Sequence, residues 1–319
     1  MNRKIISVII VVIILAIIGM IIVDYSGKQP DKLGNNPYEY NVEQFRAVDP
    51  ELIGYRETGN MPVRGYTPGG MDVKEGVIWL TGTNTLQAVT TAGVQLMKKE
   101  IEGSGLAIEV TGDAVFIGFE DHIKKYTTKG DLIAVWDIPG SKCVFTSLAA
   151  NDSILYVADA GNRRVLRYDF EGVLLGEFKG KSEGEAGHGF IVPSANFDLV
   201  VNSFDELWVV NPGMHALENY SNDGQLRGYW QNSSMKIDGF TGCCNPAQIA
   251  VLEDGSFVTS EKGMVRIKVY DSSGKLQSVV AEPGKFNEEG KAPEVKADEN
   301  GVIYALDFET SMVRIFEKI

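Results

Sequence analysis

The side chains of this chain best suited to chemistry are its thiols and one histidine. Gly242-Cys243-Cys244-Asn245-Pro246 sets two adjacent thiols beside a turn-forming Asn-Pro, and the one other cysteine of the 319 residues is Cys143. Three chemistries fit these residues. A disulfide from Cys143 to Cys243 or Cys244, or one between the vicinal pair, is open to a protein exported into an oxidising compartment. Thiolates joined by His188 suit a soft metal ion such as Cu or Zn. Inert, buried thiols are the third reading. The first two need residues far apart in the chain to meet, so the deciding question is which elements bring them together.

Those elements repeat. A turn followed by a short β-rich run recurs at Gly76-Val77-Ile78-Trp79-Leu80, at Asp113-Ala114-Val115-Phe116-Ile117, and again from Ser153, Asp205, Gly255 and Gly301, with spacings of 37 to 52 residues. Around each marker an alternating apolar run precedes and a run ending in an aromatic or apolar residue follows. The third unit predicts strands at Ser147–Ala150, Ile154–Ala158, Arg164–Tyr168 and Val173–Phe178. Period-2 alternation between Gly, Asn and Asp turns is antiparallel β structure, and four strands in about 45 residues is the size of a propeller blade. The chain therefore predicts an all-β, six-bladed β-propeller over residues 51–319. The sixth unit stops after three strands, ending at Met312–Phe316. Glu51-Leu52-Ile53-Gly54-Tyr55-Arg56 has the outline of a fourth strand and is expected to complete that blade, which closes the ring and removes its open edges.

Strand parity then sorts the loops. The loop leading into the first strand of a blade and the loop joining its second and third strands lie on one face of the disc. That face is predicted to carry Cys143, His188, Cys243 and Cys244 on the lead-in loops, with Glu120, Asp159, Asn211, Glu261 and Asp307 on the second-to-third loops. Lys262, next to Glu261, joins the set as a pocket-lining candidate. His122 and His215 fall where third strands begin, and a structural role is expected for both.

Asp159-Ala160-Gly161-Asn162-Arg163-Arg164-Val165, followed by Tyr168 and Gly172, with Gly187-His188-Gly189-Phe190-Ile191-Val192-Pro193 opening the next unit, resembles the NHL repeat. The third and fifth units carry the resemblance well, whereas the first and second lack the Asp after the second strand. NHL proteins form propellers, commonly six-bladed, so the resemblance implies that architecture. It says little about activity, since the family includes binding scaffolds, extracellular modules and a metal-dependent amidating lyase. That lyase holds zinc through several histidines around the channel, and here His188 alone sits on a lead-in loop. Six-bladed calcium hydrolases and lactonases use Glu, Asn and Asp at the channel mouth, for which Glu120, Asp159, Asn211 and Asp307 are this chain's counterparts.

The N-terminus bears on location. Ile5 to Val23 is an uncharged run of 19 residues, and as a helix it is roughly 28 Å long, close to the hydrocarbon thickness of a bilayer. No small-residue cleavage site follows it before Asp24, so it reads as an uncleaved signal anchor. Arg3 and Lys4 on its short side keep the N-terminus cytoplasmic and place the propeller outside. Residues 24–50, rich in Gly, Pro and Asn, read as a stalk. The net charge of −13 argues against nucleic acid as a partner, and no phosphate loop, G-x-S-x-G or H-E-x-x-H string occurs. The expectation is a membrane-anchored binding module that takes a protein or small ligand on the cysteine- and histidine-bearing face. A soft-metal or thiol-redox protein is the alternative, and a calcium-type hydrolase the second alternative.

Overall fold

Each turn-and-run unit folds as a four-stranded antiparallel blade, and the blades are numbered here in chain order. The computed structural model describes residues 12–18, 20, 42–137, 140–180 and 189–319, and the chain divides into two units, Met1–Gln44 and Phe45–Ile319. In the first unit residues 12–18 and 20 are helical. Among the described residues no helix is long and apolar enough to cross a membrane. Most of Ile5 to Val23 lies outside the described residues.

In the second unit blade 2 runs Ala107–Val110, Ala114–Gly118, His122–Thr127 and Leu132–Asp137. Blade 3 runs Phe145–Ala150, Ile154–Asp159, Arg164–Asp169 and Leu174–Phe178, within a residue or two of the strands predicted for it. Blade 4 is Leu199–Val201, Leu207–Asn211, Ala216–Tyr220 and Leu226–Gln231. Blade 5 is Gln248–Val251, Phe257–Ser260, Ile267–Tyr270 and Leu276–Ala281. In every one of these the strands pair in chain order. Glycines such as Gly255 (φ 81°) and Gly301 (φ 76°) take the left-handed conformation that the turns between first and second strands require.

Blade 1 is built differently. It contains Pro68–Lys74, an unbroken strand Val77–Thr90, and Gln95–Ser104. A straight strand of 14 residues would span about 46 Å, yet the Thr91 amide donates to the Gly76 carbonyl at 3.1 Å. The strand therefore doubles back, at Asn84 with φ 51°, and its two halves serve as the second and third strands.

Blade 6 closes the ring as the sequence implies, with a correction of register. Glu294–Ala297, Ile303–Asp307 and Met312–Lys318 are completed by Tyr55–Pro62, paired from Tyr55 with Lys318 to Pro62 with Met312. Of the expected Glu51–Arg56, only Tyr55 and Arg56 belong to this strand. Pro50 opens a 3-10 turn over Pro50–Leu52, capped by Asp49, whose carboxylate accepts from the Glu51 amide. The Glu57 carboxylate accepts from Arg314 Nε and Nη2, at 3.0 and 2.5 Å, across the closing pair. Upstream, Arg46 forms a two-bond pair with Glu288 at 2.8 and 2.7 Å.

The core consists of six apolar clusters, one in each seam between neighbouring blades. Trp79, Leu86 and Ile101 meet Ile108, Val115 and Ile117 between blades 1 and 2, while Met71, Ile78 and Leu80 meet Tyr304, Leu306 and Val313 between blades 1 and 6. Each blade has two apolar faces, which only two neighbours can cover, and a ring is the arrangement that leaves none bare.

Candidate functional site

Hydrogen bonds tie lead-in loops to second-to-third loops. The amides of Val144, Ile191 and Thr241 on lead-in loops donate to Asp159, Asn211 and Glu261 on the second-to-third loops, at 3.1, 2.9 and 3.3 Å. These acceptors are wholly or nearly buried, and they spend their lone pairs inside the blade. Asp159 also receives Arg164 Nε at 2.9 Å and Asn162 Nδ2 at 2.8 Å. Asn211 donates to Glu218 at 3.0 Å. Glu261 is held by Arg266 at 2.9 and 2.7 Å and by Lys268 at 2.8 Å. Asp307 accepts from the amides of Glu309 and Thr310, the Lys262 amide donates to Asn245 Oδ1 at 2.9 Å, and Glu120 is exposed.

The thiols are all free. Cys143 sits in the seam of blades 2 and 3 with Phe145, Leu148 and Tyr168, its sulfur 3.6 Å from Asn162 Nδ2 and 3.9 Å from an Arg164 nitrogen. Cys243 is exposed, Cys244 is buried, and their sulfurs are 3.1 Å apart. Burial raises the pKa of Cys143, with Asp159 adding to it, and burial also raises that of Cys244. A raised thiol holds less of the thiolate that reacts and ligates metal. His188 lies outside the described residues, and among those described no three His, Cys, Asp or Glu side chains are placed to hold a metal ion. His122 stacks on Phe119 at 4.7 Å, and His215 Nε2 lies 2.6 Å from the Gly242 carbonyl oxygen.

A second polar system lies on the innermost strands, where sequence reasoning placed nothing. The innermost strands of adjacent blades splay apart, so their inward amides have no ladder partner and need other acceptors. Side chains of the preceding blade supply them. Asp72 accepts from the Val110 amide at 2.8 Å, Glu109 from Ala150 at 3.1 Å, Asp198 from Ile249 at 2.6 Å and Glu294 from Met71 at 2.9 Å. In blade 3 Ser147 Oγ makes a different link to the next blade, donating to the Leu199 carbonyl at 3.4 Å. Among these acids stands Lys296, its Nζ 4.0 Å from Asp72 Oδ1. Burial alone would lower its pKa, but Asp72, Glu294, Glu109 and Asp198 together raise it. Burial pushes the Glu109 carboxyl up to about 8, helped by Asp72, and does the same to Glu294. The signal for this ring was present in the sequence as an acid breaking an apolar first strand, in Met71-Asp72-Val73, Ile108-Glu109-Val110 and Glu294-Val295.

Above Glu109 the channel opens into a cup of about 1300 Å³ on the face of the first-to-second turns, opposite the cysteines. Each blade contributes one exposed acid from that turn: Glu75, Asp113, Asp152, Asp205, Glu253 and Glu299. Nine carboxylates line the cup against two lysines, Lys74 and Lys125. Lys125 is already engaged, donating to the Phe170 carbonyl at 2.7 Å with Glu171 at 4.0 Å.

This ring of blades is also the architecture of solved propellers. A histidine-to-alanine, catalytically inactive virginiamycin B lyase from Staphylococcus aureus with quinupristin aligns with a TM-score of 0.57 at 14% identity, over 83% of this chain and 100% of that one. A structural genomics protein of unknown function from Bacteroides thetaiotaomicron aligns at 0.60 with 13% identity, over 83% and 76%. The WD40 propeller domain of Doa1 gives 0.54 at 12%, over 83% and 97%. The likeness is one of fold. No family model matches the sequence, the NHL repeat included, and no curated protein matches it. What the site itself offers is a large, acidic, partly apolar concavity, a shape and charge suited to holding a ligand.

Proposed function

We propose that this chain is a membrane-tethered, extracytoplasmic propeller of NHL type whose work is binding, with the cup on the turn face as its ligand site. The cup carries the reading: it is wide, it draws an acid from every blade, and none of its turn acids is used to hold a lead-in loop. On the cysteine face Asp159 and Glu261 are, by contrast, consumed in that task, and this reading moves the ligand surface expected there to the opposite side of the disc. The run Ile5 to Val23 behind Arg3 and Lys4 supports the tether.

A second reading, soft-metal or thiol-redox work at Cys143, His188, Cys243 and Cys244, is favoured by the 3.1 Å contact of the vicinal sulfurs. The raised thiols weigh against it. The lyase chemistry named for one structural neighbour is not carried over. A histidine-to-alanine form of that enzyme is inactive, and no histidine is among the described residues lining this cup.

Filling the cup without changing its charge tests the binding reading. Gly112 has open space where a side chain would begin and Ser203 is exposed, and both line the cup. Peptides selected from a random displayed library on the full-length chain in detergent are expected to lose affinity for the Gly112→Trp/Ser203→Trp variant by at least ~10-fold, about 1.4 kcal/mol. Selected peptides that bind both forms equally would remove the cup from the function.

A further inference from the structure

The cup has two chemically distinct sides. Charge dominates the ring of turns, but on the side of blades 2 and 3 Ile133 and Phe170 line the wall. Outside it the apolar surface continues along the same two outer strands through Leu132, Val135, Val173, Leu174 and Leu175, which are 40 to 58% exposed. Single exposed aliphatics are ordinary, but a run of them beside a concavity marks a contact surface. At the floor Glu109 gives one carboxylate oxygen to the Ala150 amide, and its other oxygen has no hydrogen bond among the described residues. Asp72 and Lys74 of blade 1 and Lys296 of blade 6 are the charged groups that face it. Glu109 is half-buried and lines the cup, and a cationic donor reaching its second oxygen gains a charge-assisted hydrogen bond.

We propose that the cup docks a peptide segment of a partner protein in which a Lys or Arg side chain reaches Glu109 while a neighbouring aliphatic or aromatic side chain lies on Ile133 and Phe170. This rests on the reading of the cup as the ligand site and names what enters it. Charge complementarity selects the cation: besides the protonated Glu109, eight carboxylates against two lysines leave the wall strongly negative. The apolar side selects a peptide over a free polyamine, which would leave Ile133 and Phe170 uncovered. At neutral pH Glu109 carries a proton, so the arriving cation expels it, and the ammonium or guanidinium then pairs with the carboxylate.

Calorimetry on the full-length chain in detergent tests this with three probes: a short blocked peptide alternating Lys with Leu and Phe, its Glu-for-Lys counterpart, and spermine. The Lys peptide is expected to bind at least ~10-fold more tightly than either other probe. Its heat should differ between buffers of unlike protonation enthalpy, reporting release of up to about one proton per site. Glu109→Gln keeps an acceptor for the Ala150 amide, and it should abolish that release and weaken the peptide by ~10-fold or more, the size of a charged hydrogen bond. Ile133→Asn should weaken the peptide more than it weakens spermine. Spermine binding as tightly as the peptide, or peptide affinity and proton release unchanged in Glu109→Gln, would overturn the proposal. So would a Glu peptide held as well as the Lys peptide. If a library-selected peptide still distinguishes the tryptophan-filled cup while the Lys peptide does not bind, this inference alone fails; if neither binds at the cup, the underlying reading fails with it.

Discussion

Glu109 and Glu294 are carboxyls that the channel keeps protonated well above the ordinary range, because burial disfavours their charged forms and neighbouring acids add to the effect. The consequence for stability has a definite sign. Between the ordinary value of 4.5 and about 8 the folded chain holds protons that the unfolded chain releases, so raising the pH favours unfolding. The stabilisation is complete below the ordinary value and is lost as pH rises through about 8. Glu109→Gln/Glu294→Gln removes both titrations while keeping acceptors for Ala150 and Met71. Its melting temperature should therefore fall less than that of the natural chain between about pH 6 and about pH 9. Parallel curves for the two proteins would show that these groups are not the ones held protonated. On the opposite face the same residue type has the reverse role. Glu261 and Asp159 are closed off by Arg266 and Arg164, and such pairs are costly to break and poor ligands for anything else.

The second-to-third turn is the element that turns those pairs into architecture. In blade 3 Asp159 ties back to Val144, and the turn passes so close to the lead-in loop that a side chain on Gly161 would begin 1.9 Å from the Lys142 carbonyl oxygen. That contact is backbone against backbone and cannot be relieved by a rotamer change. Gly161→Ala should destabilise the propeller by about 1–3 kcal/mol, as overpacking typically does. Chemical denaturation midpoints would reveal it, and a midpoint unchanged by the substitution would mean that the two loops are not in contact. Blade 1, which lacks an acid in this position, has no such turn at all: its second and third strands join through Asn84 without a break in the strand.

At the scale of the whole molecule, closure joins a strand near the start of the propeller to one at its end. Tyr55 is 4% exposed and buried in the seam of blades 5 and 6 with Ile267, Val295 and Phe316, so the closing strand holds a seam together as well as an edge. Tyr55→Ala should cost about 3–4 kcal/mol, in the range of large buried aromatics. Because closure ties all six seams together, the loss should appear as a lower temperature for a single melting transition. A variant that melts at the natural temperature would place Tyr55 outside the cooperative core.

The blade count, the strand positions of blade 3 and the use of an N-terminal strand to close the ring were legible in the sequence, because each is written in local period-2 alternation and turn residues. The exact closing segment was not. Glu51-Leu52-Ile53 has a strand's outline, but Pro50 with Asp49 as its cap commits it to a 3-10 turn, and the pairing register belongs to Met312–Lys318, far along the chain. Which turn acids are closed off and which stay open was also beyond the sequence. The turn acids Asp113, Asp152 and Glu253 look like the loop acids Asp159 and Glu261 when read in line. Whether such an acid meets an arginine and a lead-in amide or faces an open cup depends on how neighbouring blades splay around the channel. The sequence alone determined the repeating unit, since that is set by residues within about ten positions of one another. The tertiary structure decided the polar lining of the channel, because Asp72, Glu109, Asp198, Glu294 and Lys296 acquire their shared environment only when the ring is closed.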